Sequence, residues 1–269
     1  MTPEDTNGHM MAALAEVEAL KHQPAISAWY VHDEILPMIS GVDGTAKYSL
    51  SLAQMQQLYD WIKSEDPTRP QLSVWNFLPD YELFNYRIDE GDTPWGRPAW
   101  MDDPVLYEQA ITDMVQTTTD WVLIDMYPVG APWQGDDAEA PELQVLALTQ
   151  RAAELKDPMQ PLAFVYQAFS WSQYHDTEGY PFPTRAELDG MLCAARTGGA
   201  DWPIAYSWFD LADDLPGRDV PGRDAAFGNL KDLLDELSTE GWPVTELPAG
   251  VAMMVAPVQL ELDPVVYAH

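Results

Sequence analysis

HQPAISAWYVHDE, His22–Glu34, is the stretch on which the reading of this chain turns. Its centre, Ala25–Val31, is apolar throughout rather than alternating, as expected of a strand covered on both faces in a parallel sheet. It follows a segment of helical period and closes on the adjacent acids Asp33 and Glu34. Four more runs of this kind, bounded by Pro, Gly or Asp, lie at Leu72–Phe77, Trp121–Val129, Leu162–Phe169 and Ile204–Leu211. Between and around them, helical periodicity predicts helices at His9–Lys21, Leu52–Lys63, Val105–Gln116, Glu142–Lys156, Arg185–Arg196 and Ala225–Leu237. Ser51 with Gln54, and Thr184 with Glu187, form capping-box patterns. Asp103-Pro104 opens one helix and Gly198-Gly199 stops another. Strands alternating with helices predict an α/β fold with a parallel sheet and right-handed crossovers.

The strand starts at 25, 72, 121, 162 and 204 give units of about 45 residues, longer than a bare βαβ repeat requires. The surplus falls in loops after the strands, which carry Trp95, Trp100 and Trp133 among Asp and Pro. A closed (β/α)8 barrel at this spacing would need about 350 residues, and five units are visible here. The expected architecture is therefore an incomplete TIM-barrel-type domain over 9–240, with parallel strands and outer helices. Residues 1–8 are expected to be disordered. Residues 241–269 form an extension in which Val251–Leu262 is apolar and strand-like, either a linker or a strand of its own. An open five-strand sheet leaves two edges and an apolar inner face, so it is expected to dimerise, borrow strands or aggregate.

With 44 Asp plus Glu against 13 Lys plus Arg, the net charge is -31. Such a surface repels phosphate, which excludes a nucleic-acid reader and argues against an anionic membrane face. The acids are dispersed along the chain, the pattern of a protein from a salt-rich habitat or simply of an acidic soluble one. Apolar residues make up 46% of the chain, enough for a core, yet no run of 18 or more would span a bilayer. The first residues, MTPEDTNGHM, carry no signal-peptide pattern, and a lost leader would leave localisation open. Cys193 is the single cysteine, so an internal disulfide and a multi-thiolate zinc site are both excluded.

The pattern of a helix, then HQPAISAWYVHDE, then DPTRPQLSVWN a module later, resembles strands four and five of the clan A glycoside hydrolase barrels. WVLIDMYP, PLAFVYQAF and PIAYSWFD resemble strands six, seven and eight, so the first three units would be lacking. The likeness covers about residues 10–240 and is carried mainly by the Asp-Glu strand end and the YSW strand. It implies cleavage of O-glycosidic bonds, a carbohydrate partner, no cofactor, and Glu34 as general acid/base. Glycoside cleavage needs two carboxyl groups flanking the scissile bond. At the strand-seven place of the nucleophile this chain has Gln167, which cannot attack an anomeric carbon. Three readings remain open. Asp125 supplies the second carboxyl; or a 2-acetamido group of the substrate attacks, with Asp33 orienting it; or the barrel binds sugar without chemistry.

Aromatic residues at strand ends suit a sugar, whose C–H face stacks on indole or phenol rings. Trp29, Trp75, Tyr127, Trp171, Tyr206 and Trp208 are the candidate stacking groups, and Asn76, Gln167 and Asp210 the candidate hydroxyl partners. On an extended strand Asp125 shares a face with Tyr127, as Tyr206 does with Trp208 and Asp210. A tryptophan is, residue for residue, more often core than platform. A metal-dependent hydrolase is a further alternative on His32-Asp33-Glu34 and His175-Asp176-Thr177-Glu178. Neither has the i, i+4 histidine spacing of a helical zinc motif, and the expected metal set is none. Cys193 reads as plain core.

Overall fold

The computed structural model of the chain describes residues 3–32, 52–75, 103–131, 140–173, 180–206 and 221–242. Among them α1 (Pro3–Leu20), β1 (Trp29–His32), α2 (Leu52–Glu65), β2 (Gln71–Trp75), α3 (Pro104–Thr117) and β3 (Trp121–Met126) come first. Then follow α4 (Pro141–Leu155), β4 (Leu162–Gln167), α5 (Arg185–Gly198), β5 (Trp202–Tyr206) and α6 (Arg223–Glu240). Five parallel strands alternate with helices, and this is the α/β fold the sequence predicts.

The helix ends follow local chemistry. Asp103 accepts hydrogen bonds from the amides of Val105 and Leu106 at the start of α3, with Pro104 in the first turn. Thr184 and Glu187 close a reciprocal capping box on α5, and Gly199, at φ 110°, supplies its left-handed stop. Ser51 lies outside the described residues.

The strands differ from the sequence expectation at their ends; β2 starts at Gln71, not Leu72, and β4 stops at Gln167, not Phe169. β1 starts at Trp29, not Ala25, because the Arg69 guanidinium takes the carbonyls of Lys21, Gln23 and Ile26 at 2.6, 3.0 and 2.7 Å. Carbonyls turned toward one side chain cannot join a ladder. β3 stops at Met126, ahead of Pro128 and a turn through Gly130 at φ 64°. β5 starts at Trp202 and includes Pro203, which has no N–H to give and is tolerated where a strand forms a sheet edge.

The chain divides into two compact units that share β3. The first holds α1, β1, α2, β2, α3 and the opening of β3. The second holds the end of β3, most of α4, and β4, α5, β5 and α6. In the first, β1 lies parallel to β2 with Trp29 beside Gln71. Trp29 packs with Val17 of α1 and with Leu58 and Ile62 of α2. Its indole donates to the Asp66 carboxylate at 3.0 Å, which also accepts from Thr68 and, at 2.6 Å, from Arg69. At the opposite edge of β2, Asp120 accepts from the Gln71 amide at 2.7 Å and pairs with Lys63 at 2.7 Å.

In the second unit β4 is buried along its whole length and pairs parallel with β5, Val165 beside Ile204 and Gln167 beside Tyr206. α4 and α5 approach so closely that a Cβ on Gly198 would meet Thr149 at 2.7 Å. Arg185 of α5 bridges Asp189 on its own helix and Glu236 of α6.

The Asp66 knot sets an acid-sensitive term in stability. Burial pushes its carboxyl up, but hydrogen bonds from Thr68, Arg69 and Trp29 outweigh this and hold it well below the usual carboxylate range. A depressed native pKa stabilises above the unfolded value, near 4, and the contribution is lost as pH falls toward the native one. Arg69→Met should cost about 2–4 kcal/mol at pH 7 in urea unfolding, since it leaves a buried carboxylate and three carbonyls without their donor. Asp66→Asn should flatten the pH dependence of stability below pH 4, and an unchanged acid limb would refute this account.

Candidate functional site

Parallel α/β folds place ligands beyond the carboxyl ends of their strands. In the second unit the ends of β3, β4 and β5 bring together Tyr127, Phe169, Trp171 and Tyr206. The Tyr127 and Tyr206 rings stack with centroids 5.7 Å apart and planes 28° apart. Phe169 meets Tyr127 edge-on at 5.1 Å and Tyr206 at 6.0 Å. Trp171 stands edge-on to Phe169 at 5.1 Å and to Tyr127 at 6.4 Å. Edge-to-face and offset contacts of this kind hold rings in fixed mutual orientation. Tyr206 is 37% exposed, and Tyr127 and Trp171 are half-buried, so the cluster reaches solvent.

Backbone fasteners hold these rings in place. The Gln167 side-chain carbonyl accepts from the Val129 amide at 2.9 Å, while its NH2 group donates to the carbonyls of Val129 and Phe169 at 2.9 and 3.1 Å. One buried carboxamide thereby ties the loop after β3 to the loop after β4. The Trp171 indole donates to the Tyr127 carbonyl at 3.1 Å and repeats the tie one step outward. Ser170 and Ser172, through their hydroxyls, fasten the chain beyond β4 to Tyr180. Gly130 allows the loop after β3 to lie where any Cβ would meet Pro181 at 2.9 Å.

Asp125 lies within β3, 3% exposed, two residues before Tyr127. Asp125, Tyr127, Gln167 and Tyr206 thus all belong to this unit, with Gln167 beside Tyr206 and Tyr127 stacked on it. Trp29 and Trp75 belong to the other unit, where both are core: Trp29 is engaged by Asp66 and Trp75 is fully buried. His32, at the end of β1, is buried, and desolvation lowers its pKa to about 4, so its imidazole is neutral above that pH. Asp33, Glu34, Asn76, Trp208 and Asp210 lie outside the described residues. So does the His175-to-Glu178 cluster. Among the described residues no three His, Cys, Asp or Glu are grouped to hold a metal ion. Cys193 is buried in α5.

Phe169 was not among the candidates read from the sequence. Its signal was present in the spacing, because Gln167, Phe169 and Trp171 recur every second residue at and beyond a strand end.

The ring cluster gathers two phenols, a phenyl and an indole at a partly exposed place beyond the strand ends, a chemistry suited to flat, hydroxyl-bearing ligands. No protein-family profile matches the chain, and no curated protein does. Among solved structures the chain is similar in fold to GH5_18, a glycoside hydrolase from Streptomyces cattleya crystallised with Manβ1-4GlcNAc. The TM-score is 0.53 at 13% identity, over 92% of this chain and 57% of that one. The chain therefore spans a little over half the length of that enzyme. A β-D-glucuronidase for Dictyoglomus thermophilum aligns at TM-score 0.40 and 15% identity, over 74% of this chain and 28% of that one. Bee venom hyaluronidase aligns at 0.34 and 10%, over 82% and 90%. These last two scores fall short of a shared fold. The first likeness is one of fold alone: five parallel strands alternating with helices among the described residues, as in part of a TIM barrel.

Gln167→Ala removes three hydrogen bonds and leaves buried groups of Val129 and Phe169 unsatisfied. It should lower stability by about 2–4 kcal/mol and weaken the near-ultraviolet circular dichroism of the ring cluster. Unchanged dichroism would show that the rings do not depend on this tie.

Proposed function

We propose that this chain is a glycoside hydrolase-like protein that holds a carbohydrate against the Tyr127–Tyr206 wall and cleaves an O-glycosidic bond with two carboxyl groups. The observation that carries the reading is the stacked Tyr127–Tyr206 pair, backed by Phe169 and Trp171 at the carboxyl ends of β3, β4 and β5. The rings offer a wall for the C–H face of a pyranose. The buried Asp125 lies two residues from it along β3. The fold likeness to an enzyme that holds Manβ1-4GlcNAc supports an oligo- or polysaccharide as the ligand class.

In this proposal Glu34 is the general acid/base, protonating the glycosidic oxygen and later activating water, and Asp125 is the nucleophile or base. Its support is the Asp-Glu end of the first strand and the strand order that follows. A substrate-assisted variant gives Asp33 the task of orienting a 2-acetamido group. Trp208, Asn76 and Asp210 are proposed as further sugar contacts on the same sequence grounds.

A second reading, carbohydrate binding without hydrolysis, draws support from Gln167, which stands where the nucleophile of the resembled barrels stands and whose amide is taken up by Val129 and Phe169.

Glu34→Gln should reduce kcat on aryl glycosides by about 10²–10⁴-fold while leaving sugar affinity unchanged. Unchanged turnover would overturn the role of Glu34, and glycan binding with no hydrolysis across a broad panel would establish the second reading. Tyr206→Ala should weaken glycan affinity by about 2–10-fold in calorimetry, the scale of one lost ring contact.

A further inference from the structure

In the first unit, four buried polar atoms lie on one side of the β1–β2 pair. They are Gln71 Oε1, Ser73 Oγ and Trp75 Nε1 along β2, and His32 Nε2 at the end of β1. No protein group hydrogen-bonds to any of them. His32 is 3% exposed, and Gln71, Ser73 and Trp75 are wholly enclosed.

The two-residue period of a strand puts Gln71, Ser73 and Trp75 on one face of β2. That face looks toward the helices. The Gln71 NH2 group donates to the Tyr59 carbonyl of α2 at 2.8 Å, and its register neighbour Trp29 packs on α1 and α2. His32 joins the row through an irregularity. Trp29 to His32 is three residues, whereas the matching step on β2, Gln71 to Ser73, is two, so β1 carries one extra residue after Tyr30. Without it His32 would share the face of Tyr30, which is 55% exposed. With it His32 lies beside Ser73, the re-aiming of a side chain that a bulge provides.

A buried polar atom without a partner costs the desolvation of that atom, and native interiors leave few. Four on two neighbouring strands share one remedy. Adjacent strands lie about 4.8 Å apart, and alternate residues of one strand about 6.6 Å. A single water accepting or donating two hydrogen bonds of about 2.8 Å covers a span of this order. The donor set also fits. The amide oxygen accepts, the indole N–H donates, the hydroxyl does both, and a neutral imidazole nitrogen does either according to its tautomer. Desolvation keeps the His32 imidazole neutral above about pH 4, so the row offers an ion no counter-charge. Water, which needs two to four polar partners and no charge, is the occupant this chemistry selects.

We propose that internal water molecules are bound along this seam, with Ser73 Oγ at its centre, and tie the bulged end of β1 to β2. The sign of one substitution separates hydration from plain burial. Were Ser73 Oγ merely unsatisfied, Ser73→Ala would remove a cost and leave Tm unchanged or higher. With water bound, the same change takes away one of the water's partners. Tm should then fall by about 2–4 °C, the shift that one lost buried hydrogen bond gives in a chain of this size. In the unaltered chain, NMR should show direct nuclear Overhauser contacts from water to the Trp75 indole N–H. Oxygen-17 relaxation dispersion should count fewer long-lived waters in Ser73→Ala than in the unaltered chain. A Tm that holds or rises overturns the proposal. So does a Trp75 indole proton without contact to water, the result expected if His32 and Ser73 bond each other directly. Should Ser73→Ala fail to fold, the Trp75 contact in the unaltered chain decides.

Discussion

In a strand, successive side chains face opposite sides, and that two-residue period governs what each aromatic of this chain can do. Trp29 falls on the face of β1 that meets α1 and α2, so its indole becomes core. Gln167 and Tyr206 fall together on one face across the β4–β5 register, and Tyr166, one residue away, is buried on the other. The period persists past the end of β4 through Phe169 to Trp171, and this brings four rings into one cluster. The cluster follows from the parity of the strand that precedes it. An inserted residue between Gln167 and Phe169 would reverse every ring beyond it.

The charge balance adds a second constraint. With 13 cationic side chains against 44 acids, each Lys and Arg has many suitors, and three of the described ones tie separate segments together. Arg69 gathers three carbonyls and a buried carboxylate. Lys63 pairs with Asp120 and donates to the Arg69 carbonyl, which joins the approaches to β2 and β3. Arg185 spans two helices. Arginine suits two of these places because its fixed fork serves several acceptors at once, which an ammonium on a flexible stem does less well.

The fold was largely legible because its signals are local. Continuous apolar runs, the Thr184–Glu187 box, Asp103-Pro104 and Gly199 each act within a few residues, and each is found doing what its type allows. The misplaced start of β1 has a non-local cause. Nothing in Ala25–Ala28 announces that Arg69, more than 40 residues on, will claim the carbonyls nearby. The candidate tryptophans divide for a similar reason. Composition brings all of them forward, but only the packing of helices against one strand face makes Trp29 core, and only the loops beyond β3 and β4 make Trp171 part of a wall. The gathering of Tyr127 with Tyr206 was foreshadowed by strand ends alone. Its stacking geometry depends on ties that are written nowhere in the local sequence.

Gln167 shows why the neutral residue at that place is not a carboxylate that happens to be missing. Its NH2 group donates to two backbone carbonyls and its oxygen accepts from one amide, so the cradle around it presents two acceptors and one donor. A glutamate would keep the Val129 amide but would turn its other oxygen toward the carbonyls of Val129 and Phe169, lone pair against lone pair in a buried setting. To remain there it would have to stay protonated, or else break the loop-to-loop tie. Neither state is a nucleophile held by an intact wall. The amide is therefore selected by its surroundings, and a second carboxyl, if this chain performs hydrolysis, has to come from another strand; Asp125, buried two residues before Tyr127, is the acid of this unit nearest in sequence to the ring cluster.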